Sequence, residues 1–172
     1  MRTKKVVVVP YDPSWSENFL ILRKELEEAL QGRFLAIEHV GSTSVPYLCA
    51  KPILDVDVVI GNEPEDFIAT RDALARIGYI HRGNLDIEGR EAFAYTGKEH
   101  LQAHHLYVCP ENSKELHRHL TFRDHLRLCA EDRERYAEIK REAAALFPED
   151  IDSYIEYKGQ VILEIYKKLG LA

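Results

Sequence analysis

The chain has few cysteines, no long apolar run and no excess of positive charge. Its three cysteines, Cys49, Cys109 and Cys129, lack any C-x-x-C spacing, so neither a disulfide framework nor a thiolate zinc site is indicated. No segment approaches the roughly 20 apolar residues of a membrane helix. The apolar run within residues 1–10 is too short for a signal peptide. We therefore expect a cytoplasmic protein without a membrane segment.

Charge and length further restrict the class of protein and the number of domains. The formal net charge is −6, and acidic and basic residues are interspersed, which argues against a broad nucleic-acid interface. A length of 172 residues suits one domain with a substantial core, so we expect a single domain over residues 1–172. Internal repeats, low-complexity runs and linkers are absent from the sequence.

Hydrophobic periodicity and turn residues predict the order of the elements. Predicted strands are Val6 to Val9, Ala36 to Val40, Ile53 to Ile60, Tyr79 to Arg82, Glu91 to Thr96 and Gln102 to Cys109. A Ser14-x-x-Glu17 capping box predicts a helix to about Leu30, whose buried stripe would be Phe19, Leu20, Leu22, Leu26 and Leu30. A second helix runs from Pro64 to about Ile77, and three more follow an Asn112-x-x-Glu115 cap, with Pro148 as a break. This order predicts an α+β fold, a mixed β-sheet flanked by helices with a helical C-terminal third.

The strand at Ile53 to Ile60 carries two carboxylates. Asp55 and Asp57 alternate with apolar residues, so they share one face of the strand and are expected to face outward together. Like charges this close stay ionised only beside a cation. Mg²⁺, with Mn²⁺ as a variant, is the ion that paired carboxylates and substrate phosphates usually hold. The alternative is a pair of acids that caps a helix or solvates a sheet edge.

A small polar turn precedes this strand. Gly41 allows close approach of the backbone, and the amides and hydroxyls of Ser42, Thr43 and Ser44 can donate to phosphate oxygens, with Lys51 nearby as a mobile cation. Taken alone, the segment could equally be an ordinary polar turn before a proline. We predict that it binds phosphate because the two aspartates follow it.

Several strings together resemble the GrpB family within the polymerase-beta-like nucleotidyltransferase superfamily. They are Tyr11-Asp12-Pro13-x-Trp15, Glu38-His39-Val40-Gly41-Ser42-Thr43-Ser44-Val45-Pro46, Ala50-Lys51-Pro52-Ile53-x-Asp55, His104-His105-Leu106-Tyr107-Val108, Phe122-Arg123-Asp124-x-Leu126-Arg127 and Tyr154-x3-Lys158. They extend from about residue 7 to the C-terminus. The resemblance implies a nucleotidyltransferase-like fold and an activity inferred mainly from that fold, which is a weak guide to the substrate.

The resemblance also implies a third carboxylate on a later strand, for two-metal chemistry. The strand Gln102 to Cys109 has no acid and carries His104 and His105 on opposite faces. We predict that His104 faces the core and that His105 faces the site, as a third metal ligand or as a base; the alternative is a packing histidine. Glu88 and Glu91 are alternative third acids.

Other polar residues are assigned less directly. Matched positions in the family strings place Arg123 and Lys158 as phosphate-binding residues, although Arg123 could instead pair with Asp124 or Glu91. Tyr154 and Tyr157 could stack a base or pack the last helix. His39 could touch phosphate or stabilise its turn. The remaining histidines of the helical third lack H-x3-H spacing and are predicted to lie at the surface without metal: His117, His119 and His125.

The resulting prediction is a metal-dependent nucleotidyltransferase. It would move an NMP group from a nucleoside triphosphate to an unknown acceptor, with Asp55, Asp57 and His105 as metal-binding and catalytic residues. One alternative is a degenerate, nucleotide-binding accessory module. In some proteins a GrpB-like domain is fused to dephospho-CoA kinase, which hints at coenzyme A metabolism, but this chain has no Gly-x4-Gly-Lys-Ser/Thr loop. Another alternative is a metal-dependent phosphohydrolase.

Overall fold

A computed structural model describes residues 5–172. The strands are β1 (Ala36–Val40), β2 (Leu54–Ile60), β3 (Tyr79–His81), β4 (Glu91–Tyr95) and β5 (His104–Pro110), and the helices are α1 (Ser14–Leu30), α2 (Pro64–Arg76), α3 (Lys114–Leu128), α4 (Ala130–Leu146) and α5 (Ile151–Lys168). A short 3₁₀ turn occupies Ser42–Ser44. The strands form one mixed sheet in the order β1-β2-β5-β4-β3, in which only β2 and β5 are parallel. The predicted α+β class is confirmed.

One face of the sheet forms the main core. Leu54, Val56, Val58 and Ile60 of β2 are almost fully buried, as their alternation with the aspartates predicts. They pack against α1 and α2. In the stripe of α1, Leu20 is exposed, because it lies one position from Phe19 and therefore about 100° around the helix. Trp15 is buried in that stripe instead.

The other face of the sheet is covered by the C-terminal helices. Leu116 of α3 packs on Val59 and Cys109, which puts α3 directly over β2 and β5. α4 and α5 pack beside α3, and they bury the segment after the 3₁₀ turn against Tyr136 and Ile165. Within residues 5–172, no helix combines the length and the apolar character needed to cross a membrane.

Two of the predicted element starts are wrong. Val6 to Val9 is not a strand of the sheet: Val9 forms an isolated bridge with Ala50, and the amide of Val6 donates to Pro148 at 2.8 Å. The Ser14-x-x-Glu17 capping box is also absent. Pro13 already has helical dihedrals, because its ring fixes φ near the helical value, so Ser14 lies inside the helix.

The start of α3 is shifted by one residue. Ser113, not Asn112, is the N-cap, and its hydroxyl oxygen accepts from the amide of Leu116 at 3.2 Å. The same hydroxyl donates to the carbonyl of Gly89 at 2.5 Å. This second bond ties α3 to the loop before β4, which the local sequence pattern does not reveal.

Candidate active site at the carboxylate pair of the central strand

Asp55 and Asp57 lie on the face of β2 that α3 covers. The prediction that they share a face is confirmed, but the prediction that both face outward is wrong for Asp57. Its side chain is 0% exposed, whereas that of Asp55 is 32% exposed. The physical reason is that α3 packs on this face through Leu116 and closes over Asp57.

His119 of α3 holds Asp57. Its Nδ1 donates to Asp57 Oδ2 at 2.6 Å, and its Nε2 lies 3.1 Å from Glu115 Oε1. Burial lowers the pKa of His119, but these two carboxylates outweigh it and raise the pKa to about 9. Burial raises the pKa of Asp57, and His119 opposes that rise. An imidazolium between two carboxylates therefore neutralises a charge that water cannot reach.

The prediction that His119 lies at the surface is wrong. Its partner Asp57 is 62 positions earlier in the chain, and sequence spacing alone does not show which face of α3 meets the sheet. The available signal was the i, i+4 pair of Glu115 and His119 on a predicted helix, because such a pair fixes the orientation of the imidazole.

His105 of β5 holds Asp55. The parallel register sets His105 opposite Asp55, and its Nδ1 donates to Asp55 Oδ1 at 3.0 Å. Burial raises the pKa of Asp55, but the hydrogen bond and charge of His105 bring it below the usual value. The side chain of His105 is 42% exposed, so the rest of the ring faces the open part of the site.

His104 points to the opposite face, as predicted. It is buried and bonds to the hydroxyl of Tyr79 at 2.8 Å and to the carbonyl of Gln102 at 2.8 Å. Burial lowers the pKa of His104 to about 4, so this histidine is neutral at pH 7. His104 therefore packs in the core and is not part of the candidate site.

The Gly-Ser turn presses directly on Asp55. Gly41 has φ +70° and ψ −175°, and a Cβ placed on it would lie 2.2 Å from Asp55 Oδ2. This position needs glycine both for its dihedrals and for the close approach. The contact brings the turn and the first carboxylate together as predicted.

Two of the predicted phosphate ligands in this turn have internal partners. The hydroxyl of Thr43 bonds to His39 at 2.9 Å, so of the two roles considered for His39 the structure shows the turn-stabilising bond. The hydroxyl of Ser44 donates to the carbonyl of Gly41 at 2.5 Å, and both side chains are buried. Ser42 is partly exposed. Thr43 and Ser44 therefore shape the turn, and Gly41 and Ser42 are its accessible part.

Two lysines lie on the side of Asp55. The ammonium groups of Lys51 and Lys158 lie 6.0 Å and 4.9 Å from the centre of the Tyr154 ring. Neither forms an ion pair with a carboxylate within residues 5–172. Burial and the charge of Lys158 lower the pKa of Lys51, while Asp55 opposes the shift. Tyr154 is buried, so of its two possible roles the structure shows packing.

Arg123 is engaged by protein groups. It donates to Glu38 Oε2 at 2.7 Å, to the carbonyl of His39 at 3.1 Å and to Asp124 Oδ1 at 2.8 Å. The predicted alternative of a structural pair with Asp124 is therefore present, joined by a pair with Glu38 that the sequence did not indicate. Glu38 lies opposite Asp57 in the register, on the same face of the sheet.

The alternative third acids do not reach the carboxylate pair. Glu91 lies opposite Val108, on the core face, and bonds to His81 at 2.5 Å. Glu88 is exposed in the loop between β3 and β4. The same loop instead contributes Arg90, whose guanidinium stacks 4.2 Å from the centre of the Tyr107 ring. Arg90 was missed because nothing in its neighbourhood marks it.

The donor set fits a divalent cation in part. Asp57 Oδ1 is buried and has no hydrogen-bond partner among residues 5–172, which is unusual for a carboxylate oxygen and suits a bound cation. However, His105 does not join Asp55 and Asp57 as a compact trio: among residues 5–172, no ligand atoms of these three all lie within 4.8 Å of one another. His105 bonds to Asp55 instead.

A different trio is compact. Ligand atoms of His125, Cys129 and Asp132, at the junction of α3 and α4, lie within 4.8 Å of one another. Asp132 Oδ2 already accepts from His125 at 2.6 Å and from Lys168 at 2.8 Å. The ammonium of Lys168 thus supplies the positive charge that Asp132 needs.

Comparisons with known proteins show which family this chain resembles. Residues 5–168 match the GrpB protein family. A UPF0157 protein of Streptomyces coelicolor is 37% identical over 94% of this chain and 83% of its own length. A dephospho-CoA kinase of Mycolicibacterium paratuberculosis is 24% identical over 95% of this chain but only 46% of its own length.

Two solved structures are similar in fold. The crystal structure of conserved protein GrpB from Enterococcus faecalis superimposes with a TM-score of 0.79 and 32% identity, over 95% of this chain and 99% of that one. Cid1 in complex with its short product ApU has a TM-score of 0.55 and 11% identity, over 79% of this chain and 42% of that one. The second likeness is one of fold alone.

Proposed function

We propose that this chain, which belongs to the GrpB family, is a metal-dependent nucleotidyltransferase that moves an NMP group from a nucleoside triphosphate to an acceptor. The observation that carries the proposal is the unpartnered oxygen of Asp57. A carboxylate oxygen buried without a partner loses its hydration and gains nothing in return, unless a ligand binds it. A second carboxylate, Asp55, lies beside it on the open side.

Asp55 and Asp57 would hold Mg²⁺ or Mn²⁺. Such an ion, when bound, neutralises the charge of the triphosphate and polarises the phosphoryl group under attack. Gly41 and Ser42 would bind the triphosphate with their backbone amides, while Thr43 and Ser44 support the turn. Lys51 and Lys158, which have no carboxylate partner among the described residues, would offset the phosphate charge.

His105 would act as the base. Its Nδ1–H already donates to Asp55, so its Nε2 carries the lone pair that can take a proton. In the transfer, the acceptor hydroxyl gives its proton to this nitrogen, its oxygen forms a bond to the α-phosphorus, and the bond to the β-phosphate oxygen breaks. Pyrophosphate leaves with that electron pair. The bond to Asp55 favours this role over direct metal ligation.

A binding module without catalysis is the second candidate. β5 presents His105 and Tyr107 to this face, where the fold would need a third carboxylate, and Glu88 and Glu91 lie elsewhere. The ligand of such a module would be coenzyme A or an adenine nucleotide, because a dephospho-CoA kinase contains a stretch similar to this chain. Such a module would bind nucleotide and release no product.

Thermal denaturation with a panel of nucleoside triphosphates and Mg²⁺ or Mn²⁺ tests the site, because a ligand of the native state raises its stability. The variant is Asp55→Asn/Asp57→Asn, and the control is Asp72→Asn, an exposed carboxylate of α2 paired with Arg71. We expect a metal-dependent stabilisation that the double variant loses and the control keeps.

Analysis of the products then separates the candidates. Transfer releases pyrophosphate, hydrolysis by a phosphohydrolase releases phosphate, and a binding module releases neither. No stabilisation of folded wild-type protein by any nucleotide would contradict both nucleotide-binding candidates.

A further inference from the structure

A cavity lies beside the Gly-Ser turn, on the side away from the carboxylate pair. Its volume is about 420 Å³, within the range of small-ligand pockets. It is bounded by residues before and within α1, by the turn and by the α3–α4 junction. His39 lines this cavity and lies on the opposite face of β1 from Glu38, which shares a face with Asp57. The cavity is therefore on the side of the turn away from the carboxylate pair.

Two arginines make the cavity positive. Arg127 Nε and Nη2 donate to the carbonyl of Ser44 at 3.0 Å and 2.9 Å. Arg133 Nη1 donates to the carbonyls of Leu126 and Arg127 at 3.1 Å and 3.3 Å. Within residues 5–172, neither arginine forms an ion pair with a carboxylate, and no Asp or Glu of that range lines the cavity.

Both arginines have N–H groups that these hydrogen bonds do not use. A guanidinium has five N–H donors, and the bonds above use only part of each set. Arg133 Nε is buried and has no hydrogen-bond partner in the part of the chain that the structure describes. A buried donor without a partner is costly. The other unused N–H groups of the two guanidiniums are charged donors, from which an oxyanion in the cavity would accept. Two such groups side by side suit the several oxygens of a phosphate.

An exposed tyrosine completes the cavity. Tyr47 is 76% exposed and has φ +70°, a conformation that costs a bulky residue about 1–3 kcal/mol. Its ring lies 5.7 Å from the guanidinium of Arg133 and 6.3 Å from the ring of Tyr11. Tyr11 is itself anchored against the buried Trp15. Backbone strain clusters at ligand-binding sites, and here it occurs at an exposed aromatic residue that lies beside the guanidinium of Arg133.

We propose that this cavity binds a phosphomonoester that carries a planar ring. Arg127 and Arg133 take the phosphate, and the ring stacks on Tyr47. The site needs no metal, and it does not depend on the carboxylate pair or on the transfer reaction.

Calorimetric titrations in EDTA test the proposal with four probes: AMP, ribose 5-phosphate, inorganic phosphate and adenosine. AMP should bind, ribose 5-phosphate should bind about tenfold more weakly for lack of a ring, equivalent to about 1.4 kcal/mol, and adenosine should not bind. The Asp55→Asn/Asp57→Asn protein should bind AMP as the wild type does. This last arm keeps the outcome independent of the proposed metal site.

Three variants assign the binding to the cavity. Arg133→Gln should weaken AMP binding at least tenfold. Arg135→Gln should leave AMP binding unchanged, because Arg135 lies two residues further along α4 and pairs with Glu164. Tyr47→Gly relieves the strained φ, so it should fold well, and it should weaken AMP to the level of ribose 5-phosphate without changing phosphate binding.

Three results would overturn the proposal. One is a wild-type protein that binds no phosphate probe more tightly than about 1 mM. Another is equal binding by Arg133→Gln and Arg135→Gln. The third is AMP binding that Tyr47→Gly leaves intact.

Discussion

Replacement of Gly41 by alanine should destabilise the protein through two separable effects. The first is the backbone: φ +70° with ψ −175° is a conformation that only glycine adopts easily, and another residue there costs about 1–3 kcal/mol. The second is the contact with Asp55, because the new Cβ would lie 2.2 Å from Oδ2 and 2.9 Å from Cγ.

The energetic cost of this contact follows from the distances. Ordinary van der Waals contact begins near 3.4 Å, so Oδ2 has to move by about 1.2 Å. A shift of that size breaks the 3.0 Å bond between Asp55 Oδ1 and His105, which contributes about 1–2 kcal/mol as a charged hydrogen bond. Together the two effects should lower the free energy of unfolding by about 2–5 kcal/mol.

Urea denaturation of matched variants separates the two effects. Gly97→Ala is the control, since Gly97 also has a positive φ, +68°, but nothing within 4 Å of an added Cβ. Gly41→Ala should cost about 1–2 kcal/mol more than Gly97→Ala. That excess should shrink in an Asp55→Ala background, where the two closest atoms are gone. An equal cost for both glycines, or an excess that Asp55→Ala leaves intact, would refute the close contact between the turn and the carboxylate.

Three further predictions concern stability, each followed by urea denaturation. Burial lowers the pKa of Lys140 to about 7, so the unfolded state holds more protons than the folded state between pH 7 and 10.5. The free energy of unfolding should therefore rise between pH 7 and 9.5, by about 3 kcal/mol more in the wild type than in Lys140→Met. Parallel pH profiles of the two proteins would contradict this prediction. His119→Ala leaves Asp57 buried without its cation, so it should lower the free energy of unfolding by about 3–5 kcal/mol in EDTA. The double variant that adds Asp57→Asn should recover most of this loss. No recovery would count against the ion pair. Ser113→Ala should cost about 1–2 kcal/mol and Asn112→Ala less than about 0.5, the reverse of what a cap at Asn112 requires.

Much of the fold follows from local sequence. The alternation of Asp55 and Asp57 with apolar residues fixes which face of β2 meets the core, and the separation of His104 from His105 follows from the same period of two. Errors arose where a proline or a neighbouring hydroxyl changed an element boundary. Pro13 moved the start of α1, and Ser113 took the cap that Asn112 was expected to provide.

The candidate site was predictable only on its own strand and turn. Gly41, Asp55 and His105 come together through the register of β1, β2 and β5. Alternation predicts the face of each strand residue but not which residues of neighbouring strands pair. The docking of α3 depends on packing of residues far apart in sequence, so neither the burial of Asp57 nor its bond to His119 could be derived. The same long-range packing gives Arg123 its partner Glu38.

We propose that Asp55 and Asp57 form a metal-dependent nucleotide site, and titration with Mn²⁺ followed by electron paramagnetic resonance tests this proposal. The titration is done with a non-hydrolysable nucleoside triphosphate, comparing wild type, Asp57→Asn and His125→Ala, the last removing a ligand of the other compact trio. We expect the wild type and His125→Ala to bind Mn²⁺ together with the nucleotide, and Asp57→Asn not to bind it. Binding that survives in Asp57→Asn, or that disappears in His125→Ala, would contradict it.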